Sequence, residues 1–344
     1  MKEFFLTVFI IYFLAFGFFI FIFNYQLKAV QADALGESSF IVEKGQGFQE
    51  ISDNLAKAGL IRSRSSFKLY LLIRGWADKL KPGTYSFPLN YNSRQIARIL
   101  VEDMLEEITI TIPEGWTLSM VDEKLKKEEV LIGDSLTSLK VKDFNDKNLE
   151  PYFEFLKDTS SSTSLEGFLF PDTYRFYKNI SAKEAAKKFL NNFEEKFSSN
   201  FITQMKKQGL NFQEVVVLAS LVESEISHDA DRAKVAGILL KRLAKDMPLQ
   251  IDATIIYIKC EIKKLDNCRQ ITNGDLKIKS AYNTYLNYGL PAGPISNPGI
   301  GALKAVLYPE TSSYLFYLSD PKTGNTIFSR TLEEHNLNKQ IYLN

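Results

Sequence analysis

The chain has 344 residues, and its 42 Lys and Arg against 41 Asp and Glu leave a net charge of +1, which excludes the broad positive field of a non-specific nucleic-acid binder. Its 45% hydrophobic and 13% aromatic content excludes a disordered chain, and the length allows two or three compact units. With His228, His335, Cys260 and Cys268 as the whole complement of His and Cys, and no CxxC or HExxH spacing, neither a metal nor a cofactor is expected.

The first element is an uncharged run from Phe4 to Phe23, FFLTVFIIYFLAFGFFIFIF. As a helix it is about 30 Å long, the thickness of a bilayer's hydrocarbon core. It predicts a single transmembrane helix over 4–23, with 1–3 as a cytoplasmic N-terminus. A cleavable signal peptide is the alternative, since Ala32 and Ala34 offer small residues to a peptidase; the apolar run is longer than the roughly 7–15 residues usual for such a peptide. Charge says little about orientation, because Lys2 and Glu3 nearly cancel. Residues 24–39 (NYQLKAVQADALGESS) read as a polar tether reaching at most about 50 Å.

A weak internal repeat follows. VEKGQGFQEISDNL (42–55) and IPEGWTLSMVDEKL (112–125) share an apolar residue, a Gly three later, and apolar residues six, nine and thirteen later. Each reads as a strand, a Gly turn and an amphipathic helix. Between them, Ser65–Arg74 predicts a helix, 80–87 a turn and strand, 93–102 a capped helix and 106–112 an alternating strand. Residues 40–105 thus form a small α+β subdomain. Residues 106–164 form a connecting subdomain with the second β-turn-α unit, ending in the Ser/Thr-rich run 158–164, read as an exposed loop. A larger mixed α/β domain spans 165–344.

In that domain Asn211 and Glu214 have capping-box spacing and open the helix NFQEVVVLASLVESEI. Val215, Leu218, Ala219 and Val222 form its apolar stripe, with Glu223 beside them and Glu225 on the side nearer solvent. A carboxyl against apolar surface loses hydration and its pKa rises, which suits a general acid. Such a Glu is more often a solvated flank or an ion-pair partner, so the spacing alone leaves its role open. The helix at 231–245 is basic at its C-terminal end, as the macrodipole favours, and that charge reads as structural.

Two stretches are dense in polar and turn residues: LEGFLFPDTYRF (165–176) and SAYNTYLNYGLPAGPISNPGIGALKAVLYP (280–309). Tyr282, Asn283, Thr284 and Tyr285 offer amides, hydroxyls and ring faces suited to a sugar cleft or, equally, to a packed loop. Asp252 in LQIDATIIY precedes a strand-like run. Cys260 and Cys268 read either as a short disulfide loop or as two separate thiols. No GxSxG, Walker A or dinucleotide fingerprint occurs.

Taken in order, EGFLFPDTYRF, LASLVESEI, LQIDATIIY and YNTYLNYGLPAGPISNPGIGALKAVLYP resemble the MltG/YceG-like family of endolytic murein transglycosylases, and the likeness covers nearly the whole chain. The resemblance implies an α+β architecture: an N-terminal transmembrane helix, a LysM-like subdomain near 40–105 and a catalytic domain from about 165. It implies cleavage of the β-1,4 bond between N-acetylmuramic acid and N-acetylglucosamine inside a peptidoglycan strand, leaving 1,6-anhydro ends, without a cofactor. Glu223 matches the family's catalytic Glu. Glu166, Asp252, Tyr282, Asn283, Thr284 and Asn297 match its polar motif positions and are carried over as substrate-binding candidates. Peptidoglycan strands and membrane-embedded synthases are the implied partners, met on the periplasmic side of the inner membrane. The chain departs from the pattern at Ser224, where Lys is commoner, and in the segment around Cys260 and Cys268, which looks like a local insertion.

Overall fold

In the computed structural model the backbone is described for residues 2–32, 34, 36–101, 107–131, 133, 135–147, 152–178, 180–226 and 228–343; the side chains of 2–8, 10, 11 and 107 lie outside the description. The chain divides into a unit of residues 1–106 and one of 107–344. The expected border at 105/106 falls within 102–106, outside the described residues, as does Met1 of the expected N-terminal segment 1–3.

The first unit runs α1 (Lys2–Gln26), β1 (Glu37–Val42), α2 (Phe48–Lys57), α3 (Arg64–Arg74), β2 (Gly83–Pro88) and α4 (Ser93–Val101). Among the described residues no helix is long and apolar enough to cross a membrane. The strands β1 and β2 pair antiparallel, from Glu37 opposite Pro88 to Val42 opposite Gly83. Alternation sends Phe40, Val42 and Phe87 inward, where they meet Ile51 and Leu55 of α2, Phe67 and Leu71 of α3, and Ile96 and Leu100 of α4. The helix α3 starts where the Ser63 hydroxyl accepts from the Ser66 N–H and stops at Gly75 in the left-handed conformation. The expected tether is not free over its whole length. Leu27 is 2% exposed and packed in this core, the Ser93 N–H donates to its carbonyl, and Arg62 Nε donates to the Ala29 carbonyl. Apolar Leu27 and Ala29 gain more from that burial than a polar reading of the segment allows.

The second unit runs β3 (Glu107–Thr111), α5 (Leu118–Lys127), β4 (Thr173–Tyr177), α6 (Ala182–Lys196), α7 (Ser199–Lys207), α8 (Phe212–Glu225), α9 (Asp229–Ala244), α10 (Asp252–Tyr257), α11 (Ile300–Leu307), β5 (Phe316–Ser319), β6 (Thr326–Ser329) and α12 (Leu332–Tyr342). Residues 107–344 cluster as one compact unit. β3 pairs antiparallel with β4, and Val121, Leu125, Phe144 and Phe153 share one core with the rest of the unit. The Ser/Thr-rich run is tied back through Val141 N–H to Thr163 and Lys142 N–H to Ser161; Ser160, Ser161 and Ser162 are exposed and Thr159 is buried.

At the centre lies α8. Asn211 and Glu214 form the reciprocal capping box that the sequence predicts. The apolar face is wider than a stripe, because Phe212 and all of Val215 to Val222 are buried; such a helix is the core of its domain rather than its surface. Phe212 anchors its start, with ring centroids 5.0 Å from Phe155, 5.4 Å from Phe193 and 4.9 Å from Phe197. Helix α10 replaces the strand expected after Asp252: Thr254 Oγ1 donates to the Ile251 carbonyl and helical bonds follow, so packing overrides the β-branched local preference.

Candidate active site

Four segments of the second unit converge on the end of α8. The turn 112–117, with Gly115 at φ +77°, delivers Glu114 and Gly115. The loop 165–170 passes beneath. The loop 293–299 leads into α11, and α9 brings Arg232. Asn297 ties three of them together: its backbone N–H and Nδ2 both donate to the Trp116 carbonyl (2.8 and 2.9 Å), its carbonyl accepts from Gly115 N–H (2.9 Å), and its Oδ1 accepts from Leu169 N–H (2.9 Å). Small residues on α8 admit the 293–299 loop closely. The Ser220 hydroxyl accepts from Ile295 N–H, and the Ser224 and Ser296 hydroxyls lie 3.1 Å apart.

Both oxygens of Glu223 are engaged. Oε1 is 2.7 Å from Arg232 Nη2, and Oε2 accepts from the Gly299 N–H at 3.0 Å, at the start of α11. Their side chains are 5% and 8% exposed. Arg232 is held in turn by the Ile226 carbonyl (3.2 Å), Asp229 (3.2 Å) and Glu114 (3.7 Å). Burial pushes the Glu223 carboxyl above the usual carboxylate range; the Gly299 N–H and Arg232 pull it back, while Glu114 and Asp229 push it further up.

Glu223 opens onto a cleft of about 290 Å³ lined also by Gly115, Thr117, Tyr257, Glu261 and Arg269. A widened, π-type turn at Ile258–Ile262 presents Glu261, whose oxygens accept from Thr117 Oγ1 (3.1 Å), Ser119 Oγ (2.5 Å) and Lys264 (2.9 Å). Burial raises Glu261, but those donors outweigh it and hold the carboxyl low. The disulfide Cys260–Cys268 fixes this wall, so of the two readings of the cysteines the structure has the bridge.

A model of the YceG-like family matches residues 40–341. The chain belongs to the YceG-like family. It is 29% identical over 327 residues to a protein of Bacillus subtilis (strain 168) named endolytic murein transglycosylase, covering 92% of this chain and 88% of that one. A Streptococcus pneumoniae protein (serotype 2, strain D39 / NCTC 7466) of the same name is 28% identical over 320 residues, 88% of this chain and 58% of that longer one. The crystal structure of a yceG-like protein from Listeria monocytogenes superposes with a TM-score of 0.55 at 31% identity, covering 89% of this chain and all of that one.

Within this YceG-like chain the seven residues carried over from sequence fall into four placements. Glu223 lines the cleft. Glu166, Asn283, Thr284 and Asn297 are buried, at 3%, 0%, 1% and 0% exposure, and their polar atoms serve the frame. Glu166 accepts from Leu118 N–H (2.9 Å) and the Tyr257 hydroxyl (3.2 Å), and burial pushes it up to about 8. Asn283 donates to the carbonyls of Leu276 and Ile278 and accepts from Tyr285 N–H. Thr284 accepts from Ile251 N–H and faces Thr254. Tyr282 backs the wall, its ring 5.1 Å from that of Tyr257. Asp252 lies apart, bonded to the Tyr285 hydroxyl in a different cleft.

Sequence reading missed Arg232, Glu114 and Glu261. Arg232 follows Glu223 by nine residues but lies on α9, which starts at Asp229, whereas α8 ends at Glu225, so no single-helix periodicity links them. Glu225, expected near solvent, is instead engaged: it accepts from Ala253 N–H at 3.2 Å, and burial pushes it up to about 7.

Proposed function

We propose that this YceG-like chain is an endolytic lytic transglycosylase that cuts the β-1,4 bond between N-acetylmuramic acid and N-acetylglucosamine within nascent peptidoglycan strands, with Glu223 as its acid and base. The observation that carries the reading is one buried carboxyl facing a cleft with an N–H and a guanidinium on its two oxygens. In its protonated form, which burial favours, Glu223 donates to the leaving glycosidic oxygen. As a carboxylate, steadied by Arg232 and Gly299, it then takes the proton of the muramyl C6 hydroxyl while O6 closes on C1, giving the 1,6-anhydro end. One carboxyl thus serves both steps, a contribution of about 10²–10⁴-fold, and no water enters.

A hydrolytic alternative has Glu261 in its favour, because that ionised carboxylate lines the same cleft. Its oxygens are already taken by Thr117, Ser119 and Lys264, which leaves a poor base for water. Asp252 and Glu166 do not line that cleft. Product masses separate the two reactions: anhydro ends are expected, and ends heavier by one water would establish hydrolysis.

We place the chain in the inner membrane through the uncharged run 4–23, several of whose side chains lie outside the described ones, with the catalytic domain on the periplasmic side. Phe9, Tyr12, Phe13, Phe16, Phe18 and Phe21 of α1 are each more than 60% exposed, an apolar surface that bilayer lipid would cover. The burial of Leu27 directly after α1 keeps the first unit close to that bilayer, where newly polymerised strands and their synthases lie. The strand–helix–helix–strand order of that unit supports a LysM-like, glycan-holding role. Extraction of the full chain only by detergent, and its release on deletion of residues 1–26, would be the expected fractionation result; recovery of the full chain without detergent would refute the anchor.

A further inference from the structure

A second cleft of about 420 Å³, within the roughly 300–1,000 Å³ of small-ligand sites, lies on the opposite side of the α8–α10 junction. Glu223 and Ser224 line the first cleft and Glu225 the second; Ala253 lines the first and Asp252 the second. The shared wall is about one helix, or 10 Å, thick.

Two residues that line this cleft each carry a buried polar atom without a partner. Arg242 is 6% exposed; its Nη2 donates to Gln250 Oε1 at 3.0 Å and its plane rests on Phe316, 5.4 Å from the centroid, but its Nε has no hydrogen-bond partner. His335, 8% exposed, stacks on the same ring at 5.3 Å, and its Nδ1 is also unpartnered. Buried polar atoms without partners are uncommon in native proteins. A guanidinium does not deprotonate, so Arg242 Nε must meet an acceptor. The acids in this cleft each hold a partner other than Arg242: Glu225 the Ala253 N–H and the Tyr317 hydroxyl, Asp252 the Tyr285 hydroxyl. Lys339 adds a further cation to the lining. What is missing is an anion with planar oxygens, which fits a guanidinium best.

We infer that the second cleft binds a carboxylate of the stem peptide borne by the muramyl residue at Glu223, with Arg242 and His335 as specificity-determining residues. This deepens the reading of the chain as a glycan-strand cleaver and rests on it. A peptide leaving the sugar needs about three extended residues to pass a 10 Å wall, so carboxylates in the middle of the stem arrive at Arg242. The sugar supplies the bond to be cut, and the peptide carboxylate supplies the recognition.

The test uses the full chain in detergent, as wild type, Arg242→Gln and His335→Gln. Each digests uncrosslinked strands with intact stem peptides and the same strands stripped of peptide. Wild type is expected to favour peptide-bearing strands at least about tenfold in kcat/KM, mainly through KM, and each variant to bring that ratio to within about twofold. Equal wild-type rates on the two strands overturn the inference, as does an unchanged ratio in both variants. Should Arg242→Gln fail to fold, His335→Gln on α12 carries the comparison. Free stem pentapeptide and succinate, titrated calorimetrically, test the cleft without cleavage: peptide binding lost in the variants is expected, while no peptide binding, or succinate binding as tightly, overturns it. Cleavage of neither strand by folded wild type would refute the functional reading, leaving the titration to judge the cleft.

Discussion

Arg232 Nη2 lies 2.7 Å from Glu223 Oε1, both side chains being more than nine-tenths buried. The pair places a permanent cation against the carboxyl that has to give a proton and then take one. Burial and the neighbouring Glu114 and Asp229 favour the neutral acid, whereas Arg232 and the Gly299 N–H favour the anion. Replacing Arg232 by Met removes one of the two anion-stabilising groups, so the Glu223 pKa rises further. Activity on the acid form then persists to higher pH: the alkaline limb of the kcat/KM profile moves up, while the maximal rate falls because the carboxylate is less well held. Losing one partner of a buried pair also destabilises by about 3 kcal/mol, readable in urea melts. An alkaline limb at the wild-type position would contradict the coupling.

Glu166 offers a stability test. Its folded pKa, raised to about 8 by burial, exceeds the unfolded value of about 4.3, so the folded state binds more protons between those limits. Stability is therefore greatest below the unfolded pKa and is lost as pH rises toward about 8. Glu166→Gln keeps an acceptor for Leu118 N–H and never ionises. It is expected to flatten the pH dependence of Tm between about 4.5 and 8; a variant melting curve that still declines with pH like wild type would show that other groups govern it.

Gly167 sits at φ +85°, and a Cβ there would lie 2.5 Å from Pro294 and 2.9 Å from Val216. Gly167→Ala therefore incurs about 1–2 kcal/mol of backbone strain and about 1–3 kcal/mol of overpacking. Because Pro294 belongs to the loop leading to Gly299, activity should fall alongside Tm. A variant with wild-type Tm would show that the two loops do not need this close approach.

The disulfide Cys260–Cys268 closes a short loop, a constraint of about 2.5 kcal/mol, beside Glu261 in the cleft wall. Reduction should lower Tm and raise KM, with kcat less affected. Equal KM values for oxidised and reduced protein would separate the bridge from the cleft.

Much of this fold is legible from local pattern. The Asn211–Glu214 capping box, the alternating strand at 107–111 and the repeated strand–Gly–helix units announce themselves, because each is set by interactions within a few residues. Asp252 misleads, since Ile255 and Ile256 carry strand preference while burial of Thr254 and Ile255 against the rest of the unit selects a helix. The site divides similarly. Glu223 is reached through its apolar neighbours and the family resemblance, but its partners come from three other segments brought together only by folding. Glu166, Asn283, Thr284 and Asn297 stand out in sequence as polar motif residues, yet their bonds are spent on holding loops in place. A polar residue required by a frame and one required by a substrate look alike until burial is known.

The most direct test of the central claim is digestion of purified, uncrosslinked glycan strands by the full chain and its Glu223→Gln variant, with product masses and lengths recorded. The variant keeps the shape of the side chain and can neither donate nor accept the transferred proton. Internal cleavage with anhydro ends by wild type, and a loss of about 10²-fold or more in the variant, is the predicted result. Cleavage by Glu223→Gln at a rate near wild type would contradict the account, because the acid and base would then lie elsewhere.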